Sequence, residues 1–306
     1  LENKMERIKI EDFWERKGRN SRPIPDSEII NFVNNAVSPK YLYDETINNK
    51  FTERYYEWVQ QSKLNTLSGL DKFNAVDFVH GTSQAFDFWY QKHHNKRFRS
   101  LKGDYAYHKV SWKNYFNWKY YDDDELRNGD ALIISVPFSD LGSKHPETES
   151  ILDKCDELEI PVFIDAAYYC IARDLEFNLD RPCIDTIAFS MSKAFYGAER
   201  LRIGIRCRRE NEDDGAVLFN QFGCIAKIAA GVGYELCDKF DTDHNQNTFR
   251  DKQIEICDEL KITPANTVLH GITDKDHPEF GDYNRGTSWR RVCISKLLGD
   301  SDYVEI

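Results

Sequence analysis

The stretch that decides the fold runs from residue 162 to residue 207, VFIDAAYYCIARDLEFNLDRPCIDTIAFSMSKAFYGAERLRIGIRC. Three buried strands are expected in it: Val162-Phe163-Ile164, Ile184 to Phe189, and Leu201 to Cys207. Working outward, Asp130 to Phe138 (DALIISVPF) is a continuous apolar run ending at Pro137, and such runs are typical of strands covered on both faces of a parallel sheet. Between it and Val162, Ile151, Leu152, Cys155 and Leu158 recur at helical spacing until Pro161 breaks the helix. Ala75 to His80 reads as another strand, and Gly81-Thr82-Ser83 opens a helix with Phe86, Trp89 and Tyr90 on its apolar face. Strand and helix alternate, so the expected fold is α/β, a mostly parallel sheet sandwiched by helices.

The flanks differ in character. The first forty residues are polar and punctuated by Pro23, Pro25 and Pro39, with a short helix expected where Ile29, Ile30 and Val33 follow a Pro25-Asp26-Ser27 cap. Val217 to Phe240 reads as one long helix and Gln246 to Leu260 as another, followed by short strands over Thr267 to Ile272 and Arg291 to Ile294. The expected organisation is a large domain over 45–240, with 1–44 and 241–306 joining in a smaller α+β domain with an N-terminal arm. With 306 residues, a large core can be buried. The net charge of −11 argues against a nucleic-acid binder, which would need a basic face. No apolar run is long enough to span a membrane, and the charged N-terminus lacks the apolar stretch of a signal peptide. The eight cysteines lack metal or redox spacing and sit in apolar runs, as small buried hydrophobes do, which suits a reducing cytoplasm. Asp122 to Glu125 reads as a solvated loop and His93-His94 as helix surface, and no metal is expected.

Ligands of α/β sheets gather at the carboxyl ends of strands. Gly81, Thr82 and Ser83 would form a phosphate cradle at a helix start, or an ordinary N-cap. Asp165, directly after a buried strand, needs a cation such as a protonated heterocyclic nitrogen, or serves as a cap. Lys193, in Ser190-Met191-Ser192-Lys193, is a candidate amine nucleophile, against a lysine that snorkels to the surface. Arg202 is a candidate phosphate partner, with Arg200 as competitor.

Taken in this order, these residues resemble the fold-type I pyridoxal phosphate enzymes, the aspartate aminotransferase-like superfamily, over about Pro23 to Ser295. The resemblance implies that Lys193 carries the cofactor, pyridoxal 5′-phosphate, as a Schiff base and moves the substrate proton. It implies that Asp165 pairs with the ring nitrogen and Tyr168 bonds the ring hydroxyl. The phosphate would be held by Gly81, Thr82, Ser83, Ser190 and Arg202. Tyr105, in Gly103-Asp104-Tyr105, would stack on the ring, with Tyr107 and His108 competing. Arg291 would clamp the substrate carboxylate, and Arg290 would face the opposite way if both lie on a strand. The implied partner is a second copy in a homodimer, whose Tyr43 would reach the phosphate. Ser139 stands where aminotransferases commonly carry an asparagine, and 306 residues is lean for the family. The resemblance implies an aminotransferase for an amino acid and a keto acid. A lyase, decarboxylase, aldolase or epimerase would use the same residues, and a non-catalytic binder is a third reading.

Overall fold

The structure is a computed structural model that describes residues 20–300; the first part of the expected N-terminal arm lies outside the described residues. In chain order the longer elements before the central sheet are helices α1 (Ser27–Ala36) and α2 (Ile47–Val59) and strand β1 (Asn65–Ser68). Strand β2 (Ala75–His80), helix α3 (Gly81–Lys92), β3 (Arg97–Ser100), α4 (Ala106–Trp112) and β4 (Trp118–Tyr120) follow. Then come β5 (Asp130–Ser135), α5 (Thr148–Glu157), β6 (Val162–Asp165), β7 (Leu175–Asn178) and β8 (Ile184–Ser190). A one-turn helix α6 (Ala198–Leu201) leads into β9 (Ile203–Arg208), and helices α7 (Gly215–Gln221), α8 (Lys227–Lys239) and α9 (His244–Leu260) come next. The described residues end with β10 (Thr263–Pro264), β11 (His270–Thr273), β12 (Arg290–Cys293) and α10 (Ser295–Leu298).

Seven strands form the central sheet in the order β2-β9-β8-β6-β5-β3-β4. Every residue of β5, β6 and β9 is buried; the apolar residues of β5 and β6 suit this, and in β9 Arg206 and Arg208 are buried against Asp77. All neighbouring pairs are parallel except those of β9, which runs antiparallel to both β2 and β8. The cause is the link. A parallel return takes a dozen or more residues and usually a packed helix, whereas Met191 to Arg202 holds only the single turn α6. The C-terminal ends of β2, β5, β6 and β8 therefore share one edge with the N-terminal end of β9. Phosphate-type donors after β2 and just before β9 can thus meet carboxylates after β6.

Strand β3 escaped the sequence reading because it carries charges. Arg97 Nε and Nη2 donate to the two Asp130 oxygens at 2.7 and 2.9 Å, and the fully buried Arg99 also holds Asp130. Asp124 pairs with Arg97, and the Glu125 carbonyl accepts from Arg99 at 2.9 Å. The acidic run at 122–125 is therefore an anchor for buried arginines and not a merely solvated loop. His93 is likewise buried, 3.0 Å from Asp185, while His94 is exposed. The long helix expected over Val217 to Phe240 is two helices, α7 and α8, interrupted at Gly223, whose φ of 64° ends regular helix. Seven cysteines are buried and free; Cys224, in that interruption, is exposed.

The last three strands form an antiparallel sheet, β10-β11-β12, with Ile272 opposite Arg291. The expected strands over 267–272 and 291–294 are thus present, each displaced by a residue or a few. The N-terminal segment docks on this end of the molecule: Ser27 bonds Asp300, and Ser21 Oγ lies 2.6 Å from His270 Nε2.

Candidate active site

A cavity of about 470 Å³ opens at the shared strand edge. It is lined by Thr82, Ser83, Tyr105, Ser139, Asp165, Tyr168, Ser190, Lys193, Arg202 and Arg291, residues the sequence singles out. Tyr43 does not line it; it is 83% exposed on the helical turn Pro39–Tyr43.

One end of the cavity is an anion cradle. Helix α3 begins at Gly81, whose φ of 68° favours glycine. A Cβ there would stand 2.8 Å from Arg202 Nη2 and 3.6 Å from Ser190 Oγ. Arg202 Nη2 donates to the His80 carbonyl and to Ser83 Oγ, both at 3.2 Å. Arg202 itself adopts a left-handed conformation, φ 59°, a local strain of the kind that collects at binding sites. Ser190 Oγ donates to Ser192 Oγ at 3.0 Å and accepts from the Ser192 amide at 3.2 Å. Free amides at the start of a 12-residue helix, hydroxyls and a guanidinium are the donor set a phosphate takes. Arg200, by contrast, is exposed beside Glu199.

The middle of the cavity holds Asp165 and Lys193. Burial, reinforced by the Asp104 carboxylate, pushes the Asp165 carboxyl up to about 7. The Ala167 amide donates to it at 3.1 Å, and Thr82 also bonds it. A buried carboxylate so poorly compensated is suited to a protonated ring nitrogen. Lys193 Nζ donates to the Ser21 carbonyl at 2.9 Å. Tyr105 lies at the cavity wall beside Tyr107, their rings 5.9 Å apart and stacked. Tyr107 is turned to Asp87, and His108 Nδ1 to Tyr90 at 2.7 Å, so neither competitor faces the cavity.

The far end is cationic. Burial would raise the Tyr168 phenol, but Arg291, Lys193, the Ser21 hydrogen bond and Arg285 outweigh it and hold it below its ordinary value. Tyr168 donates to Ser21 Oγ at 2.8 Å and accepts from Arg291 Nη1 at 2.9 Å. Arg291 also bonds the Ser139 carbonyl. Arg290 faces away, donating to Gly281 and Thr287 carbonyls at 2.7 and 2.8 Å, as strand alternation requires. His270 is fully buried, between Ser21 and Thr267 Oγ1 at 2.7 Å; burial first, then Arg291, hold it well below the usual range and neutral.

Several lining residues carried no signal of their own. Ser21 and Asn20 come from the arm, Arg285 from a polar turn, and Ser135 from the end of β5. Asp104 sits in the quoted Gly-Asp-Tyr motif; it accepts from the Ser135 amide at 3.0 Å and the Tyr105 amide at 2.7 Å. Among the described residues no cluster of acids, histidines or cysteines could hold a metal. A phosphate cradle, a lysine amine and a buried carboxyl together fit pyridoxal phosphate.

Neither a family model nor a curated protein matches the sequence. Solved structures do. A tyrosine aminotransferase from Leishmania infantum superposes with a TM-score of 0.63 at 13% identity, over 92% of this chain and 88% of that one. An aromatic aminotransferase from Pyrococcus horikoshii gives 0.62 at 13% identity, over 94% of each chain. A pyridoxal phosphate-bound C–S lyase from Staphylococcus hominis gives 0.60 at 14% identity, over 90% and 85%. The chain has, over nearly its whole length, the fold of these aminotransferases and this C–S lyase.

Proposed function

We propose that this protein is a pyridoxal phosphate-dependent aminotransferase acting on an amino acid or a related amine. The observation that carries the reading is the convergence of Lys193, Asp165 and Arg291 on one cavity that ends in the Gly81–Arg202 cradle. The cofactor, when bound, supplies an electron sink that makes the proton on the substrate α-carbon removable. Lys193 would hold the cofactor through its amine and would take and return that proton. Asp165 would favour a proton on the ring nitrogen, and Tyr168 and Ser139 would bind the ring hydroxyl. Gly81, Thr82, Ser83, Ser190 and Arg202 would hold the phosphate, and Tyr105 would pack against the ring. Arg291 binds the substrate carboxylate. Residues 45–240 would carry the cofactor, and the flanking segments would close over the substrate.

A homodimer belongs to this reading. Leu42, Tyr43, Leu218, Phe219 and Phe222 are large apolar side chains left exposed. The Glu45–Lys227 ion pair, 2.9 Å, ties the segments that carry them together. A second copy covering this face would bring its Tyr43 toward the cradle. A cytoplasmic location fits the free cysteines, and among the described residues no helix is long and apolar enough to cross a membrane.

The likeness to a C–S lyase, close to that of the aminotransferases, favours β-elimination as the second reading. The test is spectroscopic. Purified protein loaded with pyridoxal phosphate turns yellow, and Lys193→Ala loses that absorbance. Wild-type protein that stays colourless after loading overturns the reading. Conversion of the cofactor to its amine form by an amino donor marks transamination, whereas release of ammonia and a keto acid from a cysteine-type donor marks elimination.

A further inference from the structure

His270 is an interior histidine whose ring bonds two hydroxyls and no carboxylate. It is fully buried, and among the described residues the charged groups that bear on it are Arg291, Lys193 and Arg285, all cations. Burial first, and then these cations, keep the ring neutral. A neutral imidazole has one N–H and one bare nitrogen, so it donates on one side and accepts on the other. Ser21 Oγ lies 2.6 Å from Nε2, and Thr267 Oγ1 lies 2.7 Å from Nδ1. Ser21 Oγ in turn accepts from the Tyr168 phenol at 2.8 Å, and the phenol oxygen accepts from Arg291 Nη1 at 2.9 Å. Thr267, His270, Ser21 and Tyr168 thus form one hydrogen-bonded chain that begins in the core and ends at the cavity.

The chain is held rigidly at its inner end. The His270 carbonyl accepts from Gln253 Nε2 at 2.7 Å and from the Ala265 amide at 3.0 Å, and its amide donates to the Thr267 carbonyl at 3.1 Å. Thr267 is backed by Gly142, whose carbonyl accepts from the Thr267 amide at 2.9 Å, and a Cβ on Gly142 would run into Thr267 Oγ1. The imidazole also packs on the Tyr168 ring, with centroids 5.2 Å apart.

Such a chain has a direction, because each hydroxyl and the neutral ring has a single hydrogen to give. With the phenol donating to Ser21, the Ser21 hydrogen is left for Nε2, and Nδ1–H is left for Thr267. A ring hydroxyl bonded by Tyr168 turns the phenol hydrogen into the cavity. Ser21 is then free to donate to the phenol oxygen, Nε2–H to Ser21, and Thr267 to Nδ1.

We propose that Thr267, His270 and Ser21 are positioning residues that set the direction of the Tyr168 phenol, and that cofactor binding reverses the chain, moving the imidazole proton from Nδ1 to Nε2. The inference rests on the reading above, in which Tyr168 bonds the ring hydroxyl. The reversal is a tautomer exchange. The N–H bond at Nδ1 breaks and one at Nε2 forms, water admitted with the cofactor carries the proton, and the net charge is unchanged. Aligned hydrogen bonds polarise one another, so a phenol that accepts from Ser21 is the stronger donor to the ring oxygen.

The test is read on the imidazole itself. Protein carrying isotope-labelled histidine is followed by two-bond nitrogen–proton NMR correlations, which tell a bare ring nitrogen from a protonated one. Of the eight histidines, His270 is the one whose signals change in Thr267→Val. The proton sits on Nδ1 in cofactor-free protein and on Nε2 in protein loaded with pyridoxal phosphate. Thr267→Val abolishes the reversal and holds the proton on Nε2, because a buried N–H without an acceptor is costlier than a bare nitrogen; Thr267→Ser restores it. In loaded protein, Ser21→Ala moves the pH midpoint of the colour change upward by about 0.3 unit, and Ser21→Thr brings it back. Yellow protein with the same tautomer in both states, or with a doubly protonated ring in either, overturns the proposal and leaves the enzyme reading intact. Protein that stays colourless after loading overturns the enzyme reading, and the reversal falls with it. A poorly folding Thr267→Val does not shield the proposal, because the wild-type tautomers decide it and His270→Gln then identifies the signals.

Discussion

In the cofactor-free protein, Asp165 makes stability fall as the pH rises. Burial, with Asp104 behind it, pushes its carboxyl from 3.8 to about 7. In the unfolded chain the same group titrates at about 3.9. Between these values the folded protein keeps a proton that the unfolded chain has released. The contribution is therefore fully present below the lower value and is lost as the pH rises through the upper one. A pKa unit corresponds to about 1.4 kcal/mol, so a rise of about three units removes about 4 kcal/mol. Asp165→Asn has the same shape and cannot titrate. Urea unfolding of both proteins between about pH 4 and pH 8 isolates the effect, because every other group is common to the pair. The variant gains on the wild type by about 4 kcal/mol across that window. Saturating pyridoxal phosphate, whose protonated ring nitrogen gives the carboxylate a counter-charge, flattens the difference. Parallel stability profiles for the two cofactor-free proteins would refute the assignment of Asp165 as a buried carboxyl awaiting a cation.

Two further predictions concern the ends of the cavity. Gly81→Ala places a Cβ 2.8 Å from Arg202 Nη2 at a left-handed φ, so it costs about 1–2 kcal/mol of stability and weakens pyridoxal phosphate binding about tenfold or more. Thermal melts and a fluorescence titration check both, and an unchanged affinity would remove Arg202 from the cradle. Ser21→Ala deprives Tyr168 of its acceptor and leaves the buried His270 Nε2 unpartnered, costing about 1–3 kcal/mol in denaturant unfolding. A loss within about 0.5 kcal/mol would mean that the arm merely rests on the surface.

The central strands were legible because their apolar runs are local: nothing but burial on both faces suits Leu132-Ile133-Ile134 or Ile187-Ala188-Phe189. The direction of β9 was not, because it depends on how far twelve intervening residues can reach. Strand β3 was hidden behind Arg97 and Arg99, whose partners, Asp130 and the 124–125 segment, lie more than twenty residues away. Of the candidate site, the glycine–hydroxyl cradle, Asp165, Lys193 and Arg202 could be picked out because each directly adjoins a recognisable strand. Arg285 and Ser21 could not, because each sits in an irregular polar segment of unremarkable composition.

What the sequence determined by itself was therefore the set of segments able to be buried and the polar residues stranded at their ends. Side-chain hydrophobicity and backbone preference act over a few residues and need no partner to be read. Tertiary structure alone decided which of those polar residues meet. It set Arg202 beside Gly81 through an antiparallel return, brought Arg285 and Arg291 to the same Ser139 hydroxyl, and laid Ser21 over Lys193. The physical reason is that a buried charge takes its energy from whatever lies within a few ångströms, however distant in the chain.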